Sequence, residues 1–243
     1  MKRKIFILLI FTLLMTEMSV YSQEYRPRRV EFTVYAGPSI SWAQTLNEGY
    51  RSGNARLGGV YGLDVDINLV PTAENYYFTV GLAAKHAMTK MIYPDKYADR
   101  EHHDSLITAE SITSKFNNIY LSIPTAIEFK TNPFGRFVID GVIGLEHSIC
   151  VSAKSKDEVI RADGTGFKVD KVDRYKEMSL IQESLYVEFG FEYVIRDNTK
   201  ATFGLAYNCN FNNMFRRKTI NQITQERVRS RLHSFEFLFG FVF

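Results

Sequence analysis

Five histidines are the natural place to begin a search for catalysis or metal binding, and two of them are adjacent. His102 and His103 are flanked by Glu101 and Asp104. Imidazole and carboxylate are the right ligand types for zinc or another transition metal. The spacing is poor, because neighbours in an extended segment point to opposite sides, so a site here needs ligands from a second loop. His86 sits on the outer face of a strand. No Gly-x-Ser-x-Gly, His-Glu-x-x-His or phosphate-loop motif occurs. Asp163-Gly164-Thr165-Gly166 reads as a turn, since an aspartic protease motif needs hydrophobic strands on both sides. The reading is therefore of a chain that is not an enzyme, with no catalytic, cofactor-binding or metal-ligating residue assigned and no cofactor.

A second set of chemical groups recurs at alternate positions: Glu31, Asp64, Asp66, Lys85, Glu128, Lys130, Asp140, Glu146, Glu188, Glu192, Lys200 and Glu236. Carboxylates outnumber bases. If these groups share an interior they must be paired or hydrogen-bonded. They would then form either a filled polar core, satisfied by the lysines, by Tyr35, Tyr77, Tyr120 and Tyr186 and by water, or a path for cations or protons.

The elements that carry them are strands of strict alternation. Residues 231–243, RLHSFEFLFGFVF, set Phe235, Phe237, Phe239, Phe241 and Phe243 on one face, and Ser234, Glu236, Leu238, Gly240 and Val242 on the other. Seven more stretches behave alike: 30–37, 60–69, 76–88, 116–130, 136–150, 181–195 and 199–213. Each has a bulky apolar face opposite one rich in glycine and polar groups. Pro124 lies mid-strand, where a bulge or local break is expected because proline cannot donate to a ladder. The links alternate in length. Residues 70–75, 131–135 and 196–198 are short; 41–59, 89–115, 151–180 and 214–230 are long.

Apolar outside and polar inside, in eight strands with short turns at one rim and long loops at the other, resembles a bacterial outer-membrane β-barrel. The expected fold is all-β, an 8-stranded antiparallel transmembrane β-barrel with short periplasmic turns and long extracellular loops. A soluble barrel of this size would turn its bulky apolar face inward. The last strand, ending on Phe243, resembles the final strand of such barrels, which implies engagement by the barrel-assembly machinery.

The N-terminus fits export to the cell outer membrane. Lys2, Arg3 and Lys4 precede a run from Ile5 to Met15 that is apolar except for Thr12, and Val20-Tyr21-Ser22 offers a cleavage site. Residues 1–22 read as a signal peptide and 23–243 as the barrel domain. The net charge of +3 is too balanced for a nucleic-acid partner. Cys150 and Cys209 fall on opposite faces of the wall, which argues against a disulfide. The last long loop is basic through Arg216, Arg217, Lys218, Arg227, Arg229 and Arg231, which suits either outer-membrane lipid headgroups or a protein partner.

The middle of the chain carries a more specific likeness. Asn118-Ile119-Tyr120-Leu121-Ser122-Ile123-Pro124 is similar to the "Y-L-x-I-P" strand of the PorT-like outer-membrane barrels of Bacteroidetes. It is followed, as there, by a turn with Pro133 and Phe134 and the Gly-rich strand Asp140–Leu145. Val34-Tyr35-Ala36-Gly37-Pro38 resembles the opening strand of the same group. The commoner acidic residue before Ile-Pro is replaced by Ser122. The resemblance implies a small accessory barrel of type IX protein secretion, with protein partners in a secretion complex. The alternative is a structural or adhesive surface barrel that binds ligands through its long loops. Asp104-Ser105-Leu106 also resembles the short O-glycosylation signal of the Bacteroidetes.

Overall fold

The computed structural model describes residues 29–70, 75–99, 105–196 and 199–243. The signal-peptide reading of residues 1–22 lies outside them. The described strands, in chain order, are β1 Val30–Thr45, β2 Arg51–Ser52, β3 Arg56–Asn68, β4 Tyr76–Asp99, β5 Ser105–Lys130, β6 Phe137–Arg161, β7 Gly166–Asp173, β8 Ile181–Arg196, β9 Thr199–Asn210 and β10 Ser230–Val242. Eight of these close a ring, β1-β3-β4-β5-β6-β8-β9-β10, and every neighbour is antiparallel. β2 adds to β4 and β7 to β6 as flaps outside the ring. At the seam Phe32 and Phe243 exchange two backbone hydrogen bonds, of 3.1 and 2.9 Å.

The register fixes the shape. Stepping across the ladders from Phe243 through Phe32, Val65, Val80, Thr125, Leu145, Leu185 and Cys209 returns to β10 at His233, a stagger of ten residues. With strands about 4.8 Å apart and a rise of about 3.3 Å per residue, eight strands with that stagger tilt by about 41°. The ring is then just wide enough for its own side chains to fill it.

Burial runs opposite to that of a soluble protein. Phe32, Leu63, Leu82, Phe129, Ile143, Phe189, Phe239 and Phe241 are exposed on the outer face. Glu31, Asp66, Lys85, Lys130, Glu146, Lys200 and Glu236 are buried within. Aromatic residues mark both edges of the apolar band. Tyr76, Phe129, Phe134, Phe137 and Tyr193 cluster at the short-turn rim. Trp42, Tyr207, His233 and Phe235 stack on one another near the other edge. Ten residues separate His233 from Phe243, and at this tilt they climb about 25 Å, the height of an outer-membrane barrel's apolar band.

The eight expected strands are present, but their upper ends lie much further along the chain. β4 runs to Asp99 where alternation predicts 88, β5 begins at Ser105 in place of 116, and β6 continues to Arg161 in place of 150. Much of the expected loops 41–59, 89–115 and 151–180 is therefore sheet standing above the membrane. The physical reason is that a wall outside lipid needs no greasy outer face. A register shift between Ile119 and Tyr120, opposite Cys150 and Ser152, adds one residue to β6 and exchanges its faces. Above it Ala153, Ser155, Asp157 and Val159 are buried while Lys154 and Lys156 point out. In the opposite sense, β9 ends at Asn210, short of the expected 213.

The Pro124 expectation holds in part. No bulge occurs there, since Pro124 keeps Glu146 as its register partner on β6. On the β4 side the ladder passes from Val80↔Thr125 to Ala83↔Ser122 with the two positions between them unpaired, and the register does not shift. Cys150 is buried inside and Cys209 is on the outer side, as the alternation predicts.

Candidate functional site

The lower lumen is filled by charge in two knots. In the first, Lys130 Nζ lies 2.8 Å from Glu31 and 2.7 Å from Glu192, and Lys200 Nζ lies 2.8 Å from each of the same two carboxylates. The four side chains form a closed ring of alternating charge, each only 3% exposed. Lys130 also reaches Glu128 at 3.4 Å and caps the Tyr77 ring at 4.7 Å. The second knot is Lys85, which contacts Glu146 and lies 2.8 Å from Glu236. Ser148 and Ser234 donate to these two acids at 3.1 and 3.2 Å. Tilt and alternation explain the convergence: the groups come from seven different strands and meet because inward positions of an eight-stranded ring share one narrow axis.

Between the knots lies an excess of acid. Asp66 accepts from Thr79 at 2.7 Å and from Thr33 at 3.0 Å, and Tyr186 donates to Glu188. One oxygen each of Asp64, Glu128 and Asp140 has no protein partner. These groups line a cavity of about 40 Å³, room for water but not for a pore. Among the described residues no cluster of histidine, cysteine or carboxylate has the arrangement of a metal site.

Above the knots the interior turns apolar. Met91, Phe116, Tyr120, Cys150, Met178, Met214, Phe215 and Leu232 pack into one buried cluster. The last loop closes over it: Met178 bridges to Phe215, and Arg216 Nε donates to the Met178 carbonyl at 2.7 Å.

A crown of strand tips and loops stands on this plug, and it holds a cavity of about 480 Å³, a volume typical of ligand pockets. Its floor is aromatic and aliphatic: Tyr50, Met91, Tyr93, Phe215 and Val228. The Tyr50 and Tyr93 rings lie parallel, 5.1 Å apart. Long-range polar ties hold the walls. Asn221 donates to Tyr50 Oη at 2.9 Å and to the Pro94 carbonyl at 2.7 Å, and the Gln222 amide donates to Asp95 at 2.7 Å. Arg174 contacts buried Asp157, lies 2.8 Å from Glu177 and donates to Ser155 at 3.1 Å. Burial would lower the Arg174 pKa, but Tyr93, Glu177 and Asp157 hold it above its ordinary value. Burial pushes the Tyr50 phenol up to about 12 and raises the Asp95 carboxyl against the pull of its two amide donors. The acids of the lining are thus engaged by the fold. Lys96, Lys176 and Lys218 at its edge have no ion-pair partner among the described residues.

Of the residues singled out from sequence, Glu101, His102, His103 and Asp104 lie outside the described residues. Ser105 opens β5. His86 is on the outer face, its ring 6.4 Å from that of Tyr61. Asp163 makes the expected turn, accepting the Thr165 amide at 2.9 Å, with Gly164 at φ 81°. Tyr50, Tyr93 and Arg174 of the crown were not foreseen. The crown's wall left a weak signal in residues 105–116 and 152–160, polar outside and apolar inside, which inverts the pattern of the strands below; the pocket residues themselves left none.

An antiparallel ring of eight staggered strands, apolar without, charged within and edged by aromatic girdles, defines the transmembrane β-barrel class of the bacterial outer membrane. Residues 21–241 match the family described as outer membrane protein beta-barrel domain, and the chain belongs to that family. It is a protein of the outer membrane. Solved structures of similar shape include Ail, the attachment invasion locus protein of Yersinia pestis (13% identity, 89% of this chain and 100% of that one, TM-score 0.38). Neisserial surface protein A is another (14%, 87% and 95%, 0.38), as is OprG from Pseudomonas aeruginosa (13%, 90% and 98%, 0.38). Among curated proteins nothing matches.

Proposed function

We propose that this barrel works by contact and not by conduction or catalysis, with the extracellular crown as its binding surface. The observation that carries the reading is the filled lumen beneath an open crown cavity. The Lys130–Glu31–Lys200–Glu192 ring occupies the axis, so what is left to meet a partner is the 480 Å³ pocket and its rim. Three lysines without an ion-pair partner among the described residues, over an aromatic floor, favour a partner segment that is anionic and carries an apolar or aromatic side chain.

The narrower role we assign is accessory component of type IX protein secretion. It rests on the likeness of residues 118–124 to the PorT-like strand. Deletion in the native host, followed by fractionation of secreted proteins with C-terminal sorting domains, tests it. Accumulation of those proteins in the periplasm, reversed by the wild-type gene but not by the Lys96→Glu/Lys176→Glu/Lys218→Glu variant, is the expected result. Export that continues normally after deletion would reject the secretion role. The second reading, a surface barrel binding matrix or host ligands, is favoured by the pocket itself, and under it the same triple variant loses ligand binding while secretion is untouched.

A further inference from the structure

In the outer half of the apolar band the outer wall carries an ionisable pair. His147 on β6 and Glu183 on β8 are register partners, and His147 Nδ1 contacts Glu183 Oε2. Thr125 Oγ1 lies 3.4 Å from His147 Nε2. Both side chains face outward, 44% and 41% exposed. They are enclosed by exposed apolar neighbours: Leu145 below, Ile149 and Val151 above on the same strand, Ile181 above Glu183, and Ile123 and Phe211 to the sides. An ionisable pair on the lipid face of a barrel carries a cost that grows with its depth below the headgroups, and a second polar surface set against it removes that cost.

We propose that this face pairs with a second copy of the chain. The argument is self-complementarity. In a closed two-copy assembly with both barrels the same way up, the twofold axis runs along the membrane normal, and each surface meets itself. Passed between β6 and β8, that axis sets His147 opposite the partner's Glu183 and Glu183 opposite the partner's His147. The tilt separates the two residues by only about 3 Å in depth. A donor and an acceptor side by side at one depth therefore close a four-membered ring with their own images. The exposed Ile and Leu residues around it supply the apolar rim, and polar groups bridge such in-membrane contacts.

The test is cross-linking in intact outer membranes. Leu145→Cys is introduced in a Cys209→Ser background and treated with a short bis-maleimide. The expected product is a band of twice the monomer mass. Leu63→Cys on the far wall, at β3, gives none. His147→Leu and Glu183→Leu each reduce the band at least tenfold, while the exchange variant His147→Glu/Glu183→His keeps it. Heat-modifiable migration on gels verifies that each variant is folded, and the wild-type cross-link stands as a test even where a single variant fails to fold. A purely monomeric Leu145→Cys protein would overturn the proposal. So would a dimer band indifferent to both single variants, or a cross-link to some other protein in place of a second copy.

Discussion

Replacing Lys130 by Met removes one corner of the charge ring and leaves its shape. In the wild type the Lys130 ammonium sits 2.8 Å from Glu31, 2.7 Å from Glu192 and 3.4 Å from Glu128, all nearly inaccessible to solvent. Lys130→Met leaves Glu31 and Glu192 with Lys200, 2.8 Å from both, and leaves Glu128 without the ammonium it faced. Breaking a buried pair by removing one partner costs about 3–5 kcal/mol, because the other charge stays buried without compensation. At about 1.4 kcal/mol per decade, the folding equilibrium should fall by roughly two to three and a half orders of magnitude. The double variant Lys130→Met/Glu192→Gln removes one base and one acid and leaves the Lys200–Glu31 pair intact, so it should recover at least half of the loss. The assay is urea unfolding in lipid vesicles, followed by the fluorescence of the single tryptophan, Trp42. Trp42 is stacked in the outer aromatic cluster, 5.5 Å from the His233 ring, and its emission shifts to the red when it leaves the bilayer. A single variant within about 1 kcal/mol of wild type, with no gain in the double, would refute the ring as a structural plug.

Three other outcomes follow from the same geometry. Arg174→Met leaves the fully buried Asp157 carboxylate without its guanidinium, so the β7 flap should become sensitive to limited proteolysis between residues 162 and 180 while the unfolding midpoint of the membrane portion stays put. Gly144→Val should abolish assembly of heat-modifiable barrel, because a Cβ at Gly144 would run into the Thr125 carbonyl and the Ala126 backbone across the ladder, atoms that cannot swing away. Deleting Phe243 removes the two backbone bonds to Phe32 that close the seam; pulse-chase assembly should slow, with a stability loss of about 1–3 kcal/mol.

The fold could be read from sequence where lipid enforces it. In the membrane an outward position has to be apolar, so Phe235, Phe237, Phe239 and Phe241 against Glu236 and Gly240 admit one arrangement. Above the membrane that constraint lapses. Lys115, Asn117, Lys154 and Lys156 point outward, Phe116 and Ala153 inward, and the extended wall looks like loop to a reading that seeks greasy outer faces. The inserted residue near Val151, which exchanges the faces of β6, hides it further. The inward acids and lysines were legible as a set, but not their pairing: that Lys130 and Lys200 share both Glu31 and Glu192 depends on the ten-residue stagger. The crown pocket was not legible at all, since its walls are tied by contacts such as Asn221 to Tyr50 and to Pro94, 171 and 127 residues apart.

The most direct test of a contact function is conductance of the purified, folded protein in a planar lipid bilayer. The filled lumen predicts a baseline without steady channels at any voltage the bilayer tolerates. A stable ohmic conductance carried by the wild-type barrel would contradict the account and return the inward carboxylates to the role of an ion path.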